Sequence, residues 1–184
     1  MEMIILAAGF STRMEGSNKL LLPYDGKPLL LHSIENAHRY CKAIIVVTGC
    51  QRDEIASILP QYVKEVRNLN PERGQDSSIY TALEASDDDV MIVPGDLPSL
   101  TQEDFNAVEE ALKEHKAVRA FHRGTPAHPV ALKKEIVKEL LKKRPDKIKT
   151  YLASLPIFHL ERSVNTIKDI DTPFEYNALI SHSE

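Results

Sequence analysis

A loop that combines a glycine with two cationic side chains follows the first apolar run of the chain. The run MIILAA leads into AAGFSTRMEGSNK, residues 7–19, which contains Gly9, Arg13 and Lys19. Glycine permits positive φ or a close backbone approach, and neighbouring N–H groups can then point at an anion. Arginine and lysine add cationic donors suited to phosphate oxygens. The pattern fits a phosphate-binding loop and, equally well, an ordinary surface loop with solvated charges.

The loop matches neither of two common phosphate motifs. Lys19 comes three residues after Gly16, so the spacing G-x-x-x-x-G-K-[ST] is not met. The G-x-G-x-x-G fingerprint of dinucleotide binding is not met either. A phosphate site here therefore depends on the glycine and the two cations themselves.

Carboxylates occupy two positions where acidic groups could hold a cation. Asp96 directly follows the apolar run VMIVP and a glycine, and Asp169 and Asp171 alternate with Ile170. In an extended segment the last two carboxylates share one face. Mg²⁺ takes one or two carboxylates and completes its shell with water or phosphate oxygens. The alternatives are a turn-forming Asp96 and an Asp171 that merely precedes a helix.

The other reactive side chains carry weaker signals. His128 precedes Pro-Val-Ala in a strand-like stretch, but a lone histidine is more often structural than catalytic. Cys41 and Cys50 have neither metal-site spacing nor a disulfide framework, which is typical of two reduced thiols.

These residues must be positioned by the elements around them. Short apolar runs alternate with amphipathic stretches, which is typical of βαβ units and a mostly parallel sheet. Ligands bind such sheets at the carboxyl ends of the strands, where the 7–19 loop and Asp96 lie. We therefore expect a three-layer, doubly wound α/β fold with a small β-ribbon. Strands are predicted at 3–8, 43–49, 62–68, 89–96, 156–161 and on either side of a GTPA turn (124–127); helices at 28–41, 52–59, 75–86, 101–115, 133–143, 145–154 and 172–182.

Length and charge narrow the class of protein. A chain of 184 residues is expected to form one domain spanning 1–184. Its formal charge of −4 gives no global basic field for nucleic acid or acidic membranes. The apolar residues 1–8 are too short for a membrane-spanning helix and lack the basic segment of a signal peptide. We expect a cytoplasmic protein that binds no nucleic acid or membrane.

Five segments in order resemble the molybdopterin nucleotidyltransferase family. The first, LAAGFSTRMEGSNKLLLPYDGKPLL, is similar to that family's signature L-A-A-G-x-S-x-R-M-G-x-x-K-L-L-x-P followed by G-x-P-L-L. The resemblance covers almost the whole chain and implies a Rossmann-like nucleotide-diphospho transferase fold. The other four segments are NPERGQDSSI (70–79), GDLPSL (95–100), GTPAHPVAL (124–132) and DIDTPFEY (169–176).

The resemblance also implies roles for individual residues. The first loop would bind a nucleoside triphosphate, Ser77 and Ser78 would lie near its base or ribose, and His128 would line the acceptor side. Asp96 and Asp171 would hold Mg²⁺. The residues implied in catalysis are Arg13, Lys19 and Asp96, and those implied in nucleotide binding are Leu6, Ala7, Ala8, Gly9, Ser11, Arg13, Lys19, Ser77, Ser78 and Asp96.

Ala-Ala-Gly after the first strand and the Asp-Ile-Asp ending resemble the cytidylyltransferase branch of the family. That branch implies CTP as donor, the phosphate of molybdopterin as acceptor, and a molybdoenzyme or its maturation factor as partner. A guanylyltransferase using GTP, a cytidylyltransferase for a sugar or polyol phosphate, and a regulatory nucleotide-binding module without turnover stay open. So does a plain phosphosugar or flavodoxin-like binding domain.

The chain also departs from the family's pattern. Glu15 stands where the motif has glycine, and Gly16 comes one residue late. Glu15 places a negative charge beside the expected triphosphate. Ala127 replaces the glycine before the histidine, and Glu175 shifts the acidic residue of the last motif. These differences are those expected of a different acceptor or of weakened catalysis.

Overall fold

The computed structural model describes residues 1–10, 18–41, 43–162 and 176–177, and its main element is a seven-stranded mixed sheet. The strands of this sheet are β1 (Glu2–Ala7), β4 (Ile44–Thr48), β5 (Lys64–Arg67), β6 (Val90–Pro94), β7 (Ala117–His122), β8 (Thr125–Leu132) and β9 (Phe158–Glu161); β2 (Pro23–Tyr24) and β3 (Lys27–Pro28) form a separate ribbon. The strand order in the sheet is β5-β4-β1-β6-β8-β7-β9.

Six α-helices of the described residues cover the two faces of the sheet. They are α1 (Leu29–Tyr40), α2 (Arg52–Ile58), α3 (Gln75–Glu84), α4 (Gln102–Glu114), α5 (Lys134–Lys143) and α6 (Ile148–Ala153). Every predicted strand and helix of this part of the chain is present, with ends shifted by a few residues. The result is the predicted three-layer α/β fold.

The sheet is parallel on one side and mixed on the other. β5, β4, β1 and β6 run parallel, and Ile4 of β1 lies beside Ile45 on one side and Ile92 on the other. β8 is antiparallel to both β6 and β7, while β9 is parallel to β7. The ends of β1 and β6 and the start of β8 therefore lie at the same edge of the sheet, the carboxyl edge of the parallel strands.

The continuous apolar sequence of β1 is explained by burial on both faces of the sheet. Met3 and Ile5 pack in a core with residues of α1 and α4. Ile4 and Leu6 pack in a second core with residues of α3, α5 and α6. A strand with two buried faces has no position for a polar residue, so the period-two alternation is lost.

A capping box is present at the start of α4 and extends to a third residue. The Asp104 carboxylate accepts hydrogen bonds from the Thr101 backbone N–H and hydroxyl, both at 2.9 Å. Its other oxygen accepts from Arg162 Nη2 at 2.8 Å, just beyond β9. The buried carboxylate thus stabilises the helix start and joins it to the last strand of the sheet.

The predicted pair of strands around residues 117–132 forms a hairpin, but this hairpin belongs to the main sheet. Its turn is Arg123–Gly124, with φ of 49° and 76°, and Thr125–Ala127 already belong to β8. Two consecutive positive φ values are typical of a type I′ turn, which matches the twist of the flanking strands. The separate ribbon, β2–β3, turns at Asp25–Gly26 with the same signs of φ.

The closing helix predicted at 172–182 lies outside the described residues except for Tyr176 and Asn177, which are helical. Within the ranges given above, no helix is long and apolar enough to cross a membrane.

Two glycines allow the strand ends to lie close together at the carboxyl edge. A Cβ on Gly49, after β4, would lie 2.7 Å from the carbonyl oxygen of Ala8. A Cβ on Gly95, after β6, would lie 2.9 Å from a methyl of Leu30 and 3.1 Å from the carbonyl oxygen of Leu6. Gly9, in contrast, has no heavy atom of the described residues within 4 Å of such a Cβ.

This difference predicts a stability contrast between two alanine variants. Gly49→Ala forces the ends of β1 and β4 apart and is expected to lower the free energy of unfolding by about 1–3 kcal/mol. Gly9→Ala meets none of the described residues and serves as the matched control, with an expected change of less than about 0.5 kcal/mol. Urea unfolding followed by circular dichroism measures both. Equal stability of the two variants would contradict the close packing at Gly49.

Candidate active site

A cavity of about 360 Å³ opens at the carboxyl edge of β1 and β6. Its volume lies in the range of small-molecule sites, and its position is that of ligands in open α/β sheets. Seven residues singled out from the sequence line this one cavity although they are far apart in the chain. These are Leu6, Ala8, Gly9, Lys19, Ser78, Asp96 and His128.

The backbone after β1 forms one wall of the cavity. Ala8 is buried, whereas Gly9 is exposed and lines the cavity. The sequence allowed for positive φ at Gly9, but the structure shows positive φ at other glycines, such as Gly74 and Gly124, and not there. The open space beside Gly9 instead fits the second role of glycine, a close approach of backbone to ligand.

An ion pair between Lys19 and Asp96 lies at the floor of the cavity, and both side chains are largely shielded from solvent. Lys19 starts a short 3₁₀ turn that ends at Leu21. The Asn18 side chain caps that turn by accepting from the Leu20 N–H at 3.0 Å. Buried Leu20 anchors the turn in the core, so the lysine amine is held at the floor of the cavity.

Asp96 is fixed by the end of β6. The Gly95 N–H donates to the Leu6 carbonyl at 3.0 Å, which continues the pairing of β6 with β1. The Gly95 carbonyl accepts from the Ser33 hydroxyl of α1 at 2.9 Å. Asp96 itself is 4% exposed, so its charge is largely withdrawn from water and depends on Lys19 for compensation.

A buried asparagine that the sequence analysis missed organises the opposite wall. The amide of Asn68, the residue after β5, donates to the hydroxyls of Ser77 at 2.8 Å and Ser78 at 2.9 Å. Its carbonyl oxygen accepts from the Asn70 N–H at 2.9 Å. The place of Asn68 directly after a strand was the signal available, because Asp96 occupies the same kind of position.

The two predicted serines play different parts. Ser78 lines the cavity. The Ser77 hydroxyl donates towards the backbone carbonyls of Asn70 and Gly74 and is placed beside the cavity.

Gln75, at the start of α3, lines the cavity as well. The N–H groups at the start of this ten-residue helix have no side-chain cap, and such a terminus favours anions.

His128 closes the cavity from β8, where the chain runs opposite to the parallel strands. Burial, together with the nearby Arg119 cation, lowers the pKa of His128 from its usual value near 6.5 to about 4. The imidazole is therefore neutral at pH 7. It can take part in hydrogen bonding but adds no positive charge for phosphate.

Several predicted site residues lie outside the described part of the chain. These are Ser11, Arg13 and Asp171, together with Glu15, Gly16 and Asp169. Ala7 is the buried last residue of β1 and supports the wall without lining the cavity. Among the described residues, no group of three or more His, Cys, Asp and Glu side chains is arranged to hold a metal ion.

The fold and the cavity define an open α/β protein with a charged ligand cavity at the carboxyl edge of its parallel strands, and sequence comparison identifies its family. Residues 3–157 match the model of the MobA-like NTP transferase domain. The chain belongs to this nucleotidyltransferase family.

Two relatives illustrate its range. The chain is 31% identical to the molybdenum cofactor cytidylyltransferase of Escherichia coli, over 94% of this chain and 92% of that protein. It is 27% identical to a probable molybdenum cofactor guanylyltransferase of Pyrococcus horikoshii, over 83% of this chain and 81% of that protein.

Solved structures share the fold. Rv0371c of Mycobacterium tuberculosis superimposes with a TM-score of 0.83 at 21% identity, covering 98% of this chain and 96% of that one. A structure of the same mycobacterial protein in complex with manganese gives a TM-score of 0.78 at 19% identity, covering 98% of this chain and 97% of that one.

The lowered pKa of His128 predicts a specific loss of stability in acid. An unfolded histidine takes up its proton near pH 6.5 and the folded one near pH 4, so between these values the unfolded state binds more protons. The free energy of unfolding should therefore fall by up to about 2 kcal/mol between pH 7 and pH 5 on account of this residue.

Urea unfolding at both pH values, compared between the wild type and His128→Gln, isolates this contribution. The variant should lose about 2 kcal/mol less than the wild type on acidification. Parallel pH dependence in the two proteins would show that His128 is not held neutral by the fold.

Proposed function

We propose that this protein transfers a CMP group from CTP to the phosphate of molybdopterin and releases pyrophosphate. The observation that carries the proposal is the meeting of Gly9, Lys19, Ser78 and Asp96 in one cavity at the carboxyl edge of a parallel sheet. Residues 1–184 would act as a single nucleotidyltransferase domain.

The choice of CTP rests on sequence. Ala7-Ala8-Gly9 stands at the end of β1, which resembles the cytidylyltransferase branch, and the 31% identity to the Escherichia coli cytidylyltransferase extends over nearly the whole of both chains. The lower identity to the guanylyltransferase supports the same choice. Transfer of GMP, or transfer of CMP to a sugar or polyol phosphate, is the nearest alternative.

The proposed reaction needs charge neutralisation more than a base. An oxygen of the acceptor phosphate attacks the α-phosphorus, a new P–O bond forms, and the bond to the β-phosphate breaks with pyrophosphate as leaving group. Because the attacking oxygen is already anionic, no protein group has to remove a proton. Lys19 would stabilise the charge that builds on the α-phosphate, and the start of α3 would add N–H donors.

The donor set of the cavity fits a divalent cation. Asp96 is a buried carboxylate lining the cavity, and Mg²⁺ needs one or two protein carboxylates when phosphates and water complete its shell. Asp96 would hold the ion, with Asp171 as the second carboxylate. Bound Mg²⁺ would offset charge on the triphosphate. Lys19, which pairs with Asp96, would then turn to the phosphates.

The remaining residues would bind the two substrates on opposite sides. We infer that Leu6, Ala8, Ser11 and Arg13 hold the triphosphate, while Ala7 supports them from the buried end of β1. Ser77 and Ser78, tied together by Asn68, would fix the base or ribose. His128 would contact the acceptor, since it enters the cavity from the mixed half of the sheet.

Removing either member of the central ion pair tests the proposed machinery. Lys19→Ala and Asp96→Ala should each lower the rate of nucleotidyl transfer at least about 100-fold, because each removes a charge that acts on the phosphates. Steady-state release of pyrophosphate measures the rate.

The pair Lys133–Asp89, with 3.0 Å between Lys133 Nζ and Asp89 Oδ2, offers a matched control away from the cavity. Lys133→Ala should retain transfer within about twofold. Near-full activity of Lys19→Ala or Asp96→Ala would remove that residue from the mechanism.

Nucleotide preference tests the finer assignment. Calorimetric titration with CTP, GTP, ATP and UTP, with and without Mg²⁺, should show magnesium-dependent binding that is at least about tenfold tighter for CTP. Preference for GTP would move the protein to the guanylyl branch. The rate of nucleotidyl transfer to molybdopterin, compared with the rate to a sugar or polyol phosphate, then tests the acceptor. Tight nucleotide binding without transfer to any of these acceptors would indicate a regulatory module.

A further inference from the structure

An exposed aromatic side chain, Phe10, lies in the wall of the main cavity. It follows Gly9 in the loop after β1, lines the cavity and keeps 51% of its surface exposed. Phe105, Phe121 and Phe158 each contact another aromatic ring. No ring of the described residues contacts that of Phe10. Its flat face is therefore available to a ligand in the cavity.

Two glycines of the same cavity leave space for a flat ligand. A Cβ built on Gly9 or Gly74 would meet no heavy atom of the described residues within 4 Å. Gly74 also has a φ of 85°, which residues with side chains rarely adopt. Both glycines line the cavity with backbone alone, so a planar ring can approach them closely.

The contacts of the loop after β1 place Phe10 on one side of the cavity. Ala8 packs against Gly49 at the end of β4, and its carbonyl accepts a long hydrogen bond from the Cys50 thiol at 3.8 Å. β4 and β5 lie on one side of β1, whereas β8, which carries His128, lies on the other side, beyond β6. The loop is thus held on the side away from the proposed acceptor contact.

The segment after β5 forms a second wall on this side, the one that Asn68 organises. Pro71 and Gly74 of this segment line the cavity, followed by Gln75 and Ser78 of α3. Proline offers a compact apolar surface, and the amide and hydroxyl offer polar groups beside it. A heteroaromatic base has apolar faces and a polar edge, so it matches an aromatic ring on one wall and this combination on the other.

We propose that Phe10 stacks on the base of the bound nucleotide, which lies between this ring and the wall formed by Pro71 and Gly74. The inference rests on the proposed function, since it takes a nucleoside triphosphate as the ligand of the main cavity. Every base has an aromatic face, so stacking supplies affinity without choosing among bases. Phe10 thus favours a ligand with a base over a bare polyphosphate, and the polar groups of Gln75 and Ser78 are left to distinguish one base from another.

Binding of CTP compared with inorganic tripolyphosphate, which has the phosphate chain without base or ribose, tests this proposal. In calorimetric titrations with Mg²⁺, Phe10→Ala should raise the Kd of CTP at least about fivefold and leave that of tripolyphosphate within about twofold. Phe10→Tyr keeps the ring and should bind CTP within about twofold of the wild type. Phe10→Leu keeps apolar bulk without the ring and should bind CTP about threefold more weakly.

The fluorescence of Phe10→Trp gives a second readout. The chain contains no tryptophan, so this variant carries a single one. CTP should quench its emission through contact with the base, whereas tripolyphosphate should not. Phe158→Trp, on β9 and away from the cavity, is the matched control and corrects for light absorbed by the nucleotide.

Two results would overturn the proposal. Equal losses of CTP and tripolyphosphate affinity in Phe10→Ala would show that the substitution disturbs the loop rather than a contact with the base. Unchanged CTP binding would show that the ring does not touch the base, and a raised KM for the acceptor in that variant would assign the ring to the acceptor instead.

The proposed function fails separately. If the wild type prefers GTP, or binds CTP without transferring CMP to molybdopterin, the same comparison with the nucleotide that binds still decides the role of Phe10. If no nucleotide binds, both proposals are overturned.

Discussion

The close fit around the end of β1 is the constraint on which the site depends. β1 is paired on both edges and buried on both faces, so its last residues cannot move to make room for neighbours. Gly49 and Gly95 make that room by having no side chain. The loop after β1 and the carboxylate after β6 consequently emerge side by side, and a lysine from one meets an aspartate from the other.

Much of this arrangement could be predicted from the sequence because the relevant signals are local. Unbroken apolar runs identified β1, β4 and β6, and the rule that ligands bind at the carboxyl ends of such strands placed Gly9, Lys19 and Asp96 at one edge. Family membership is confirmed over residues 3–157. The roles of individual residues stay predictions, and those of Arg13 and Asp171 concern positions outside the described residues.

What the sequence did not reveal depends on contacts between distant segments. Asn68 is an ordinary asparagine in the sequence, and its importance appears when both of its donors meet serines of α3. That Arg119 forms no ion pair within the described part of the chain is likewise visible only once β7 is placed beside β8. The hairpin β7–β8 was predicted, but no local pattern tells whether a hairpin joins the main sheet or stands alone.

The strand order also sets a sequence of events during synthesis. β1 and β4 are complete by Thr48, whereas β6, which covers the other edge of β1, begins at Val90. At about 5–20 residues per second, an apolar strand edge waits several seconds for its partner. Unpaired edges of this kind recruit strands from other chains. The nascent protein is therefore exposed to aggregation during that interval. A synthetic peptide with the sequence of β6, added during synthesis, would compete for the edge of β1 that β6 covers.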